Sequence, residues 1–173
     1  MKNRWVLGAR WIPGIEADRA KLRTTLAYRF SGTLMAGLEY NPLANDLGPI
    51  ANWLALPETD QRPALIFGTS SDRIGTPHGR AIYGTLSKDL EGWTGLPIAP
   101  YAGVSFGTFD DQFVGIGGLL IRWSERINTT SMWDGHNLHH VADYAIDEQN
   151  LVGVVLAEQD GVYSLGLSYS LSF

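Results

Sequence analysis

Seven cations carry the most suggestive chemistry in this chain. Arg4 and Arg10 are six residues apart, and Lys21, Arg23 and Arg29 follow at intervals of two and six. Even intervals put side chains on one face of an extended strand, so each group becomes a row of positive charge if the backbone around it is β. Arg80 and Arg122 fall on the polar face of two later segments of the same kind. Guanidinium rows bind carboxylates and phosphates, and in a confined space they attract anions generally.

Other patterns invite chemistry but lose on context. Trp133-Asp-Gly-His136-Asn-Leu-His139-His140 gathers three histidines. Adjacent strand residues point to opposite faces and His136 falls in the turn, so loop polarity outweighs a metal site. Gly115-Ile-Gly117-Gly118 lacks the strand-to-helix setting of a dinucleotide loop, and its glycines suit close strand packing or a cleared interior. Gly68-Thr-Ser-Ser-Asp-Arg-Ile-Gly75 has no Lys after its second Gly and is not a phosphate loop. A nucleophilic serine needs a histidine within reach. No His-x-Ser or its reverse occurs in a predicted strand, which leaves only cross-strand meetings of His78, His139 or His140 with Ser70, Ser105 or Ser131. No cofactor and no metal is expected.

Strands must therefore position the cations. Period-two alternation predicts about twelve, within a range of eight to twelve, at about 4–12, 21–30, 33–40, 50–56, 64–70, 80–87, 98–108, 113–123, 127–133, 138–146, 151–157 and 162–173. In the first, Trp5, Leu7, Ala9 and Trp11 oppose Arg4, Val6, Gly8 and Arg10; in the third, Leu34, Ala36, Leu38 and Tyr40 oppose Thr33, Met35, Gly37 and Glu39. No segment keeps a helical period, so the chain reads as a single all-β domain over 1–173. Loops alternate long and short through the first half, with long ones at Pro13–Arg19, Asn41–Pro49 and Ser71–Gly79. The second half is less regular, Asp89–Leu96 being long where a short turn is due.

Composition removes several classes. There is no cysteine, hence no disulfide framework or thiolate metal site. The net charge of -5 argues against nucleic acid as a partner. No run approaches the roughly 18 apolar residues of a membrane helix. The first residues, MKNRWVLGARW, have neither an apolar h-region nor a small-residue cleavage site, so any leader is expected to have been removed or replaced by Met1. Twenty glycines with six Trp, seven Tyr and six Phe suit many strands joined by turns.

The last segment, LGLSYSLSF, alternates to its final residue. Leu165, Leu167, Tyr169, Leu171 and Phe173 share one face with Tyr163, while Ser164, Gly166, Ser168, Ser170 and Ser172 share the other. This row ending in an aromatic resembles the C-terminal signal of bacterial outer-membrane β-barrels. The resemblance implies an antiparallel, up-and-down transmembrane barrel set in outer-membrane lipid and inserted by the barrel assembly machinery. Ala81-Ile-Tyr-Gly-Thr-Leu-Ser-Lys88 and Trp133-Asp-Gly135 are loosely similar to barrels associated with exopolysaccharide export.

A soluble barrel or sandwich would show the same alternation. Charge placement separates the two. Seven of the 13 basic residues lie on polar strand faces, whereas among the 18 acids only Glu39, Asp143 and Glu158 fall in or at the end of strands. An indifferent solvated face would carry both signs. The expectation is a basic wall inside a barrel, with Arg4, Arg10, Lys21, Arg23, Arg29, Arg80 and Arg122 beside Glu39 and Asp143. The function expected is a small pore preferring anions or acidic saccharides, because Gly8, Gly37, Gly84, Gly103, Gly107 and Gly166 clear inward positions. One alternative is a closed barrel serving as an accessory subunit of a surface or polysaccharide-export complex, which Tyr101 and other bulky inward groups would favour. The second is an outer-membrane lipid esterase or deacylase.

Overall fold

The computed structural model describes residues 3–173. Twelve antiparallel strands close on themselves, each paired to its sequence neighbours and the first to the last. They are β1 (Trp5–Trp11), β2 (Leu22–Arg29), β3 (Leu34–Asn41), β4 (Asp46–Leu56), β5 (Ala64–Ser71), β6 (Arg80–Ser87), β7 (Ile98–Gly107), β8 (Gln112–Arg122), β9 (Ile127–Trp133), β10 (Leu138–Ala145), β11 (Asn150–Gln159) and β12 (Val162–Ser172). Two four-residue helices, α1 (Asp18–Lys21) and α2 (Glu91–Thr94), lie in connections at opposite ends. Closure leaves no edge strand, so no strand presents an unpaired row of backbone N–H and C=O groups to its surroundings. The seam runs antiparallel from Val6 opposite Ser172 to Trp11 opposite Leu167. It is extended by Trp5 and Phe173, whose backbones exchange hydrogen bonds of 2.9 Å in both directions.

The alternation in the sequence becomes an inside and an outside. Trp5, Leu7, Leu26, Leu38, Phe67, Ile82, Leu86, Val154, Leu165 and Leu167 are exposed on the outer face. Exposed aromatics flank this band at both ends: Trp11, Tyr40, Phe113, Trp133 and Tyr163 at one, Trp5, Trp53, Trp123, Tyr144, Tyr169 and Phe173 at the other. Aromatic side chains favour the two interfaces of a bilayer, and a closed sheet with such a band is built to span one. A slip of one residue would exchange the two faces, so the apolar row fixes the register.

Four sequence expectations are corrected. The segment Asn41–Pro49 is strand for most of its length. Asn45, with φ 47°, makes a tight turn after a short 3-10 segment, and β4 then pairs Asp46 to Asn41 and Pro49 to Leu38. Gly and Pro read as breakers, but pairing to β3 outweighs their low propensity. Gly84 shares outward parity with Ile82, and a side chain there would meet the exposed Phe67 ring. Arg4 precedes β1, is exposed, and donates to the Tyr28 hydroxyl at 3.0 Å, outside the interior row; at a strand end its side chain is free to turn toward the rim. Lys21 closes α1, where it pairs with Asp18 at 2.6 Å instead of continuing the β2 row.

Gly37 is required by close approach. A Cβ there would collide with the Leu26 carbonyl and the Ala27 Cα on the neighbouring strand.

Candidate functional site

The interior is polar and tightly paired around β2–β6. Arg23 Nη2 lies 2.5 Å from Glu39 Oε2, and the Glu39 carboxylate is fully buried. Asn41 Nδ2 donates to Glu39 Oε1 at 2.8 Å. Arg80 sits at the start of β6, where its guanidinium turns inward over Gly48, donates to Asp46 at 2.8 Å and stands 3.8 Å from Glu39. Only glycine at 48 leaves room for it. Arg10, Arg23 and Arg29 all have inward parity, Arg10 being directly opposite Arg23 across β1 and β2. Arg29 donates to the Asn3 carbonyl at 2.9 Å.

Arg10 differs from its neighbours. Its Nε is buried without a hydrogen-bond partner, and it forms no ion pair among the described residues. A cation left unmatched in a confined interior is costly unless water or an anion completes its shell.

Arg122 and Asp143 belong to the end of the barrel that holds the chain termini. Arg122 bridges Asp89 at 2.8 Å and Glu91 at 2.9 Å, holding the long β6–β7 connection against β8. Asp143 faces inward on β10 opposite Asn128 and Gly153, and any side chain at 153 would collide with its carboxylate. The nine described-residue cations and acids predicted as an interior row thus divide. Arg10, Arg23, Glu39 and Arg80 share one region, Arg29, Arg122 and Asp143 lie toward the end that holds the termini, and Arg4 and Lys21 stand at the rims.

At the end opposite the termini, loops fold into the mouth. Ile12, Ile15 and Ala20 are buried against Val155 and Ala157 of the β11 inner face. Gly166 admits this segment, since a Cβ there would stand 2.6 Å from Ile12 Cγ1. Arg19, only 3% exposed, then spans to the β5–β6 loop. It donates to the carbonyls of Asp72 at 3.1 Å, Arg73 at 3.0 Å and Thr76 at 2.9 Å, and also to the Thr76 hydroxyl. Asp72 in turn accepts from the Phe109 N–H at 3.0 Å, and Arg73 pairs with Asp110. Three loops are therefore clasped together. Sequence reading missed Arg19 and Arg73 because both lie in connections, Arg19 in the short α1 and Arg73 in the β5–β6 loop, where no strand period marks a direction.

Beneath this clasp lies a cavity of about 240 Å³, bordered by Arg10, Arg19, Arg23, Arg73, Tyr83, Tyr101 and Ser105. Asp134 and His139 close one side. The Glu158 N–H donates to His139 Nδ1 at 3.2 Å, so the proton sits on Nε2 and points to Asp134 at 2.8 Å. Burial pushes the Asp134 carboxyl up, but the bonds from His139 and from the Asn137 and His136 N–H groups outweigh it and hold the group below its ordinary value.

One serine and histidine do meet. Ser131 Oγ and His140 Nδ1 are 2.9 Å apart across β9 and β10, on the outer face. Their other cross-strand neighbours are Leu119 and Leu156, so that row supplies no polar group to orient the ring as a hydrolase would need.

The six residues of the terminal row fall as alternation requires, with Tyr163, Leu165, Leu167, Tyr169 and Phe173 exposed outward and Leu171 in the same row half-buried.

This closed, twelve-stranded, antiparallel barrel with an apolar exterior and a charged lumen has the architecture of a membrane-spanning β-barrel. Eight chains among solved structures match its fold. One is described as the NanC porin in a rhombohedral crystal form; it superposes with a TM-score of 0.56 at 12% identity, covering 98% of each chain. No family model and no curated protein matches the sequence.

Proposed function

We propose that the chain is a narrow outer-membrane pore that favours small anions, acidic saccharides among them. The observation that carries this reading is Arg10: a half-buried guanidinium bordering the cavity, its Nε without a hydrogen-bond partner and with no acid in ion-pair contact among the described residues. Arg23, Arg73 and Arg80 are each matched by a carboxylate, Arg19 is held by carbonyls, and Arg29, away from the cavity, is held by the Asn3 carbonyl. The lumen's preference therefore rests on one residue more than on the density of arginines. In a low-dielectric wall such a charge attracts anions and repels cations over the width of a narrow pore.

The loops clasped by Arg19 favour a second reading, a closed barrel serving as an accessory subunit. Proteoliposome swelling separates the two. Faster entry of a uronate than of a neutral sugar of equal size supports the anion pore. Folded, heat-modifiable protein that gives no swelling with either solute favours the closed barrel.

A further inference from the structure

We propose that Tyr83 and Tyr101 are ring-stacking platforms, which make the cavity selective for a cyclic acid over an open-chain acid of the same charge. The inference rests on the anion reading and adds the shape of the solute to it.

Both tyrosines have inward parity, Tyr83 on β6 opposite Ser105 and Tyr101 on β7 opposite Gly118. Each ring occupies a place that only a glycine leaves free. A Cβ on Gly68 would collide with the end of the Tyr83 ring, and a Cβ on Gly118 would collide with the edge of the Tyr101 ring. Gly68 lies on β5 and Gly118 on β8, so the two rings lean apart, each laid back against the wall. Tyr83 is further fixed by its hydroxyl, which donates to Asn52 Oδ1 at 2.6 Å.

An inward tyrosine that stood upright would fill the lumen. Laid over a glycine it instead keeps space open and turns an aromatic face to the cavity, whose border includes both rings, Ser105 and Arg10. A sugar ring presents C–H groups on its faces and hydroxyls at its edge. The first pack on an aromatic face and the second take hydrogen bonds from neighbouring polar groups. A cavity of about 240 Å³ corresponds to about eight water molecules, the scale of a single sugar ring. The carboxylate of a pyranose acid would complete the shell of Arg10 while its ring lies on a tyrosine.

Calorimetry on the detergent-solubilised protein tests this with methyl β-glucuronide, gluconate and methyl β-glucoside. Glucuronide should bind about tenfold more tightly than gluconate, a difference of about 1.4 kcal/mol. Tyr101→Leu should remove most of that advantage and leave gluconate affinity unchanged to within about twofold, whereas Tyr101→Phe should keep it. Tyr83→Leu gives the same test from the neighbouring strand should Tyr101→Leu fail to fold. Equal affinity for the two acids, both lost in Arg10→Gln, overturns the platforms and leaves the anion reading in place. Binding of neither acid, or binding indifferent to Arg10→Gln, overturns the anion reading and the platforms with it.

Discussion

Glu39 holds two arginines from different strands: Arg23 at 2.5 Å on β2 and Arg80 at 3.8 Å on β6. The carboxylate is fully buried and also accepts from Asn41 Nδ2 at 2.8 Å, so it is the anionic centre of the interior network. Removing one member of a buried pair leaves the other unmatched and costs about 3 kcal/mol or more. Glu39→Gln should therefore lower the urea midpoint of the folded barrel, read as loss of the heat-modifiable band. It should also strengthen anion preference, because Arg23 and Arg80 lose their shared counter-charge. Unchanged stability would mean that water, not Glu39, matches these arginines.

Arg19 should control access at the mouth. Its bonds to the Asp72, Arg73 and Thr76 carbonyls tie the 12–21 segment to the β5–β6 loop. Hydrogen bonds from a charged group contribute about 1.5–3 kcal/mol together with the desolvation they offset. Arg19→Gln should raise the undocked population of these loops about tenfold or more. The expected readouts are faster protease nicking within 12–21 and higher single-channel conductance. Nicking at the same rate as in the unmodified protein would show that Ile12, Ile15 and Ala20 hold the segment without Arg19.

Much of this fold was legible because period-two alternation is a direct consequence of strand geometry. Trp5 to Trp11 and Leu165 to Phe173 declare both a face and a register, and the structure pairs them at the seam. Asn45-Asp46-Leu-Gly-Pro49 was not legible, since each residue prefers a turn and only the partner strand draws the segment into the sheet. Gly84 misled because a glycine gives no sign of the face it clears. Arg10, Arg23, Arg29 and Glu39 were legible as to parity but not as to partners, whereas Arg80 shares the outward parity of Ile82 and turns inward only at the start of its strand. Arg23 meets Glu39 and Arg80 meets Asp46 through pairings between strands, which spacing along one chain cannot show. Arg10 therefore looked like one of a row, although among the described residues its guanidinium meets neither an acid nor a carbonyl.

Gly37 should be the least tolerant of the strand glycines beside β2. A methyl group there meets backbone atoms of Leu26 and Ala27, which cannot rotate away, whereas Gly32 has nothing within 4 Å of its added Cβ. Gly37→Ala should destabilise the barrel by about 1–3 kcal/mol, as overpacking does, and Gly32→Ala should leave it near the unmodified value. Equal urea midpoints for the two variants would contradict the close approach of β2 and β3.

Phe173 and Ser172 should respond unequally to the same change. Phe173 is exposed at the outward face and exchanges backbone bonds with Trp5, while Ser172 pairs with inward Val6. Phe173→Asp should lower the yield of membrane-integrated, heat-modifiable barrel well below that of Ser172→Asp, since only the former places a carboxylate in the apolar row. Equal yields would remove the role of the terminal row in assembly.

The central claim is that the unmatched Arg10 guanidinium sets the charge preference of the lumen. Its most direct test is the zero-current potential of the purified protein in planar bilayers across a salt gradient, compared with Arg10→Gln. The account predicts anion preference in the unmodified protein and a shift toward no preference in Arg10→Gln, with conductance retained. Cation preference in the unmodified protein, or a zero-current potential that does not move when Arg10 is replaced, would contradict it.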